Sequence, residues 1–158
     1  MNFHRPFGVY GILVGDGKLL VIHKGGGPYK NRWDLPGGNL EERESLVEAL
    51  QREFVEETGL QIEVLSQVGA FDFLIETDWR QGTLVHHIAI LYLVKTLGGS
   101  ISVPEKFDGQ DSLGASWVSL ENMLESNASP IVLKAKECLS SHSDNLEVIT
   151  YRDWKVKL

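Results

Sequence analysis

The sequence predicts a mixed α/β (α+β) domain built around a sheet. Three observations point there: apolar runs of strand length between turn signals, one strongly amphipathic helix after them, and two long β-branched runs followed by a further helix. At 158 residues and 42% hydrophobic content, one core accounts for the chain, so residues 1–158 are read as a single domain.

Phe7 to Val14 is apolar, Gly15-Asp16-Gly17 signals a turn, and Leu19 to Ile22 is a second apolar run, together predicting a β-hairpin. Lys24 to Arg32 has neither helical nor strand period and reads as an exposed loop, ending at Trp33-Asp34-Leu35-Pro36-Gly37-Gly38. From Ser45 to Thr58, Leu46, Ala49, Leu50 and Phe54 recur at helical spacing. Ser45 to Glu48 has the form of a capping box, and Gly59 stands where a left-handed cap belongs. Gln61 to Ile75 and Thr83 to Val94 read as long strands around a polar loop from Glu76 to Gly82, and Gly98-Gly99 ends the second. Ala115 to Val118 reads as a short strand, Ser119 as the cap of a helix running toward Glu125, and Ile131 to Leu139 as a further helix. Residues 140–145 read as a loop, and residues 140–158 form a C-terminal extension that is β-like from Glu147 but has no assignable place.

Composition narrows the function classes. The single Cys138 can form neither an internal disulfide nor a structural zinc site, which predicts a cytoplasmic setting. Met1 to Pro6 lacks the pattern of a signal peptide, and no apolar run is long enough to span a membrane. With 15 Lys+Arg against 22 Asp+Glu, duplex nucleic acid is an improbable partner. The acids cluster: Glu41 to Glu57 holds seven of the 22 and only two of the 15 bases.

That cluster conflicts with the helix carrying it. With Leu46 at zero, Glu53 falls at about 340° and Glu57 at about 20°, inside the apolar stripe, and Glu56 lies beside it. They also crowd the C-terminal end, where the macrodipole disfavours anions. A core-facing charge must be paired, neutralised or bound to a metal, and Arg52 reaches only some of these acids. Hard carboxylate donors, with no cysteine nearby and no histidine at ligand spacing, favour Mg²⁺ or Mn²⁺. A solvated acidic face, with the stripe shifted or the helix ending early, is the alternative at this point.

The segment as a whole resembles the Nudix hydrolase signature. Gly38 is followed by five residues and Glu44, then by seven residues and Arg52-Glu53-Phe54-Val55-Glu56-Glu57-Thr58-Gly59-Leu60. The resemblance extends through Trp33 to Gly38 and the flanking strands, over residues 7–125. It implies an α/β/α sandwich with a central mixed sheet and a loop-helix-loop. It also implies Mg²⁺-dependent hydrolysis of a diphosphate bond in a nucleoside diphosphate linked to another group, with a small nucleotide or nucleotide derivative as the partner. Monomer and homodimer stay equally open.

By this resemblance Glu53, Glu56 and Glu57 form the metal shell, Glu53 or Glu56 is the general base, and Arg52 orients Glu53 unless it is a plain surface ion pair. Gly37 and Gly38 permit close backbone approach, and a carbonyl there completes the metal's coordination or serves only a tight turn. Asp111, ahead of Trp117, matches the family's auxiliary acid, with Asp108 and Glu105 as rivals and a solvated loop acid as the alternative. Lys24, Tyr29, Lys30 and Arg32 surround the glycine-rich loop and are candidates for meeting phosphate or base. Glu44 suits the positive end of the helix dipole. His86 and His87 lie in a strand, so their rings point to opposite faces. Trp79 and Phe73 are candidates for base stacking, although such aromatics more often pack in cores.

Two other functions share the fold: a silent Nudix-like nucleotide sensor and an isopentenyl-diphosphate-isomerase-like enzyme. The chain keeps every acid of the box, against the first. Cys138 lies outside every motif, against the second. Ile75, Glu76 and Thr77 stand where subfamilies acting on ADP-ribose or dinucleoside polyphosphates carry a marker Pro or Tyr, which disfavours both substrates.

Overall fold

A computed structural model describes residues 1–141 and 146–158. Its elements run β1 (Asn2–His4), β2 (Phe7–Ile12), β3 (Val14–Gly15), β4 (Lys18–Lys24), β5 (Trp33–Asp34), β6 (Gly37–Gly38), α1 (Leu46–Thr58), β7 (Leu60–Thr77), β8 (Thr83–Gly99), β9 (Ser112–Ser119), α2 (Pro130–Ser141) and β10 (Ile149–Trp154). A tight turn with Arg80 and Gln81 at positive φ occupies Trp79–Gln81, and a single 3-10 turn occupies Leu120–Asn122.

The predicted hairpin is smaller than expected. β2 does not pair with β4; it lies parallel to β8, with Phe7 opposite Ile88 and Ile12 opposite Leu93. The chain changes sheets at Leu13, and only Val14 and Gly15 fold back on Leu19 and Lys18. Both turn residues, Asp16 and Gly17, have positive φ, which suits a tight two-residue hairpin.

β7 and β8 form a long antiparallel ribbon whose ends pair Leu60 with Gly99 and Thr77 with Thr83. The strands overrun the predicted ends, so the expected loop from Glu76 shrinks to one tight turn. The larger sheet runs β10-β7-β8-β2-β6, with β1 also alongside β8. The smaller sheet has β4 at its centre, flanked by β3 and β5 on one edge and β9 on the other. The C-terminal segment thus has a place: β10 lies parallel to β7, with Ile149 opposite Phe73.

Neighbouring residues serve opposite faces of these sheets. Val9, Leu20, Ile62 and Val94 pack with Ala49, Leu50 and Phe54 of α1. Tyr10, Leu19, Val21 and Leu91 pack with Ile131, Val132 and Ala135 of α2. The sheets therefore lie between the two helices, as the predicted α/β/α sandwich requires. Phe54 is fully buried and stabilises the α1 contact by about 2–3 kcal/mol.

The capping box forms as expected: Ser45 Oγ accepts from the Glu48 amide and the Glu48 carboxylate accepts from the Ser45 amide. Gly59 closes α1 in the left-handed conformation, its amide donating to the Val55 carbonyl. The helix predicted from Ser119 is a correction. Only a 3-10 turn forms, without a side-chain cap bond, because Met123 turns extended and is buried in the core. Of the predicted loop at 140–145, Ser140 and Ser141 end α2, and the remaining residues lie outside those described.

Candidate active site

α1 holds its carboxylates at the edge of a cavity of about 640 Å³. Glu53, Glu56 and Glu57 all line it, joined by Gly37, Gly38 and Arg52. Local sequence explains the placement. Glu53 follows Ala49 by four positions and Leu50 by three, and Glu57 follows Phe54 by three, so the packing that buries Ala49, Leu50 and Phe54 turns both acids inward.

Glu57 is 3% exposed and accepts the Gly37 amide at 2.8 Å. Burial, reinforced by the neighbouring Glu53 charge, holds its carboxyl well above the usual range, against the opposing pull of Lys24 and the Gly37 amide. Glu53 is pushed up to about 7, chiefly by burial, with Arg52 working in the opposite direction. Gly37, at φ +146°, has no room for a side chain: a Cβ would overlap the Val9 carbonyl oxygen and Tyr10. A Cβ on Gly38 would stand 2.9 Å from Glu53 Oε1, so the bare backbone lies directly against that carboxylate.

Arg52 is no isolated surface pair. Its guanidinium donates to Glu44 at 2.6 and 2.9 Å, to the Asn39 carbonyl at 3.0 Å, to Glu53 at 3.1 Å and to Glu56 at 3.2 Å. The fork geometry of arginine permits this division. Glu44, whose hydrogen bond from Arg52 holds its carboxyl below the ordinary value, also accepts the Glu41 amide at 2.7 Å. It pairs Arg52 to the loop before α1 rather than serving the helix dipole alone.

The donor set matches a hard dication in kind: three carboxylates beside a glycine cradle, with no sulfur lining the cavity. Among the described residues, however, no three acid, histidine or cysteine side chains stand in ligand geometry. Arg52 Nη1 draws Glu53 and Glu56 toward itself.

Asp111 and Asp108 also line the cavity; Glu105 does not. The glycine-rich loop packs on Asp111, the Gly25 amide donating to its carbonyl at 2.5 Å, and Lys24 Nζ stands 3.9 Å from Asp111 Oδ2. Burial works against the Lys24 charge, but Asp34, Glu57, Asp111 and Glu53 outweigh it and raise the ammonium above its ordinary value.

The loop from Lys24 to Arg32 is not exposed, which corrects the sequence expectation: Tyr29 and Arg32 are buried and the residues between Lys24 and Pro28 are half-buried. The cause is β10 and the residues after it. Trp154 Nε1 donates to the Pro28 carbonyl at 3.0 Å, and Arg32 stacks on the Trp154 ring while donating to the Lys155 and Glu125 carbonyls. Arg32 and Lys30 do not line the cavity, whereas Lys24, Tyr29 and Gly37 do. Phe73 is fully buried in the core and offers no stacking face, whereas Trp79 reaches the cavity wall.

His86 and His87 separate as predicted. His86 bonds Asp72 and Arg5 near the surface. His87 is 4% exposed, with Tyr10 Oη and Tyr29 Oη each 2.8 Å from one ring nitrogen. Sequence reasoning missed Tyr10 and Asp34 as cavity residues. Asp34 accepts from Ser129 Oγ at 2.7 Å and from the Leu35 amide at 2.9 Å. Burial raises its carboxyl despite Lys24 and those two bonds. A lone acid between Trp33 and Leu35 was the available signal.

The NUDIX domain family matches residues 2–138. An ADP-ribose pyrophosphatase of Methanocaldococcus jannaschii is 33% identical over 78% of this chain and 67% of its own length. An 8-oxo-dGDP phosphatase of Danio rerio is 30% identical over 78% of this chain, but over only 32% of its own length. The crystal structure of a MutT NUDIX hydrolase from Burkholderia pseudomallei superposes with a TM-score of 0.68 at 25% identity, covering 85% of this chain and 97% of the other. No helix among the described residues is long and apolar enough to cross a membrane. Since the matched segment runs from β1 into α2 and so carries every acid of the cavity, the chain belongs to the Nudix hydrolases, a family of pyrophosphohydrolases.

Proposed function

We propose that this chain hydrolyses a diphosphate bond in a nucleoside diphosphate linked to another group, and that it requires Mg²⁺, with Mn²⁺ as a substitute. The observation that carries the reading is the convergence of Glu53, Glu56 and Glu57 beside the bare backbone of Gly37 and Gly38 in one cavity. Phosphoryl oxygens repel an incoming hydroxide, so the reaction needs charge neutralisation and a positioned water.

The three carboxylates, with the Gly38 backbone and Asp111, would hold the cation, which supplies charge neutralisation at the diphosphate. Lys24 adds a half-buried positive charge on the same cavity wall. Glu53 or Glu56 takes the proton from the attacking water, the water oxygen bonds to phosphorus, and the bridging P–O bond breaks with its electron pair leaving on the oxygen of the departing phosphate. Arg52 positions both carboxylates through Nη1. Cys138 is part-buried on α2 and does not line the cavity, which weighs against isomerase chemistry.

The test is a panel of nucleoside diphosphate derivatives, including ADP-ribose and 8-oxo-dGDP, incubated with and without Mg²⁺ and scored by product identification. The expected result is cation-dependent release of a nucleoside monophosphate from at least one compound. Binding without turnover throughout the panel would leave a nucleotide sensor and remove the hydrolase reading.

A further inference from the structure

Tyr10, His87 and Tyr29 all line the cavity, and together they hold more protons than they use. The imidazole has two nitrogens, each 2.8 Å from one tyrosine hydroxyl. A neutral ring carries one N–H and one lone pair, so it donates to one hydroxyl and accepts from the other. Burial lowers His87 to about 3, which keeps the ring neutral, and raises both tyrosines, which keeps their hydroxyl protons on. Three protons are present, two hydroxyl and one imidazole, against two contacts. The tyrosine that accepts the N–H is therefore left with its own proton unspent. Among the described residues no other acceptor is in hydrogen-bond contact with Tyr10 Oη or Tyr29 Oη. A buried donor without a partner is disfavoured until something supplies an acceptor.

We propose that this spare hydroxyl proton is a recognition subsite for an uncharged acceptor in the part of the substrate beyond the diphosphate: a nucleobase carbonyl or ring nitrogen, or a sugar oxygen. The acceptor is uncharged because the donor is a neutral phenol: burial, with Asp34, Glu57 and Glu53 acting in the same direction, keeps the Tyr10 proton on, so the subsite offers a hydrogen bond and no positive charge. The cations of the cavity wall remain for the phosphates. The tyrosine positions are fixed from outside the triad. Trp154 packs edge-on against Tyr29, their centroids 6.2 Å apart, and Tyr10 is held between β8 and β6 through its own strand. The subsite is thus built before ligand arrives, which lowers the ordering cost of binding.

The inference rests on the nucleotide reading above, and binding is measured apart from turnover so that the two can fail separately. The probes are AMP, GMP, CMP, UMP, ribose 5-phosphate and inorganic phosphate, titrated calorimetrically with Mg²⁺ into the unaltered chain and into the Tyr10→Phe/Tyr29→Phe double variant. At least one nucleoside monophosphate is expected to bind about five- to tenfold more weakly to the variant, the range of one neutral hydrogen bond. Inorganic phosphate should bind equally to both. A matching loss with ribose 5-phosphate assigns the acceptor to the sugar, and no loss assigns it to the base; both outcomes support the subsite. Equal nucleotide affinity in the two proteins, an equal loss for inorganic phosphate, or no nucleotide binding at all overturns it. If the double variant fails to fold, ¹⁵N-histidine spectra of the unaltered protein decide. One fixed neutral tautomer of His87 that shifts on adding nucleoside monophosphate is expected, and averaged tautomers or no shift overturns the proposal.

Discussion

Glu53→Gln, studied in metal-free buffer, isolates the cost of placing a carboxylate in the cavity. The folded carboxyl titrates near 7 rather than at its ordinary 4.5, with burial as the main cause. In the window between those values the folded state keeps a proton that the unfolded state has released, so stability is full below 4.5 and is lost as pH rises through 7. At about 1.4 kcal/mol per unit the loss is about 3 kcal/mol, and partial solvent access reduces it to about 2. Glutamine keeps an oxygen for Arg52 and removes the titration. It also removes the charge that raises Glu57. Urea unfolding from pH 5 to pH 8 in EDTA should give nearly coincident stabilities at the acid end. At pH 8 the variant should be more stable by about 2 kcal/mol, or about 1 M in urea midpoint. Added Mg²⁺ should then stabilise the unaltered chain more than the variant. Parallel pH curves for the two proteins, or an unaltered chain that gains stability toward pH 8, would refute the assignment of a buried, metal-poised carboxylate.

Glu57→Gln keeps an acceptor for the Gly37 amide while removing a charge, so turnover should fall at least tenfold, with metal-free thermal stability unchanged or higher. A steady-state assay beside a melting curve measures both. Arg52→Lys should not substitute for arginine, since one ammonium cannot serve Glu44, Glu53, Glu56 and the Asn39 carbonyl together. A loss of about 1–3 kcal/mol in urea unfolding is expected. Gly37→Ala forces a Cβ into the Val9 carbonyl and should destabilise by more than about 2 kcal/mol, read by the same unfolding measurement.

What the sequence disclosed was local. The helical period of Leu46, Ala49, Leu50 and Phe54, its capping box and Gly59 lie within one short stretch, so α1 and its inward acids could be derived without knowing any partner. The ribbon of β7 and β8 was legible for the same reason. What failed depended on distant partners. β2 pairs with β8, far along the chain, so the apparent hairpin with β4 misled. The glycines around Lys24 look like solvent-exposed loop, and nothing nearby discloses that Trp154 and Lys155 cover them. Asp34 and Tyr10 became cavity residues only through strand pairing and the Ser129 contact, none of which leaves a spacing signature.

The bonds from Trp154 to Pro28 and from Asn31 to Lys157 each join residues 126 positions apart. Closing so long a span is slow compared with winding α1 or zipping β7 onto β8. During refolding the acidic helix should therefore be in place before Tyr29 is seated. A chain caught at that stage would present its carboxylates while lacking one wall of the chamber meant to enclose the substrate.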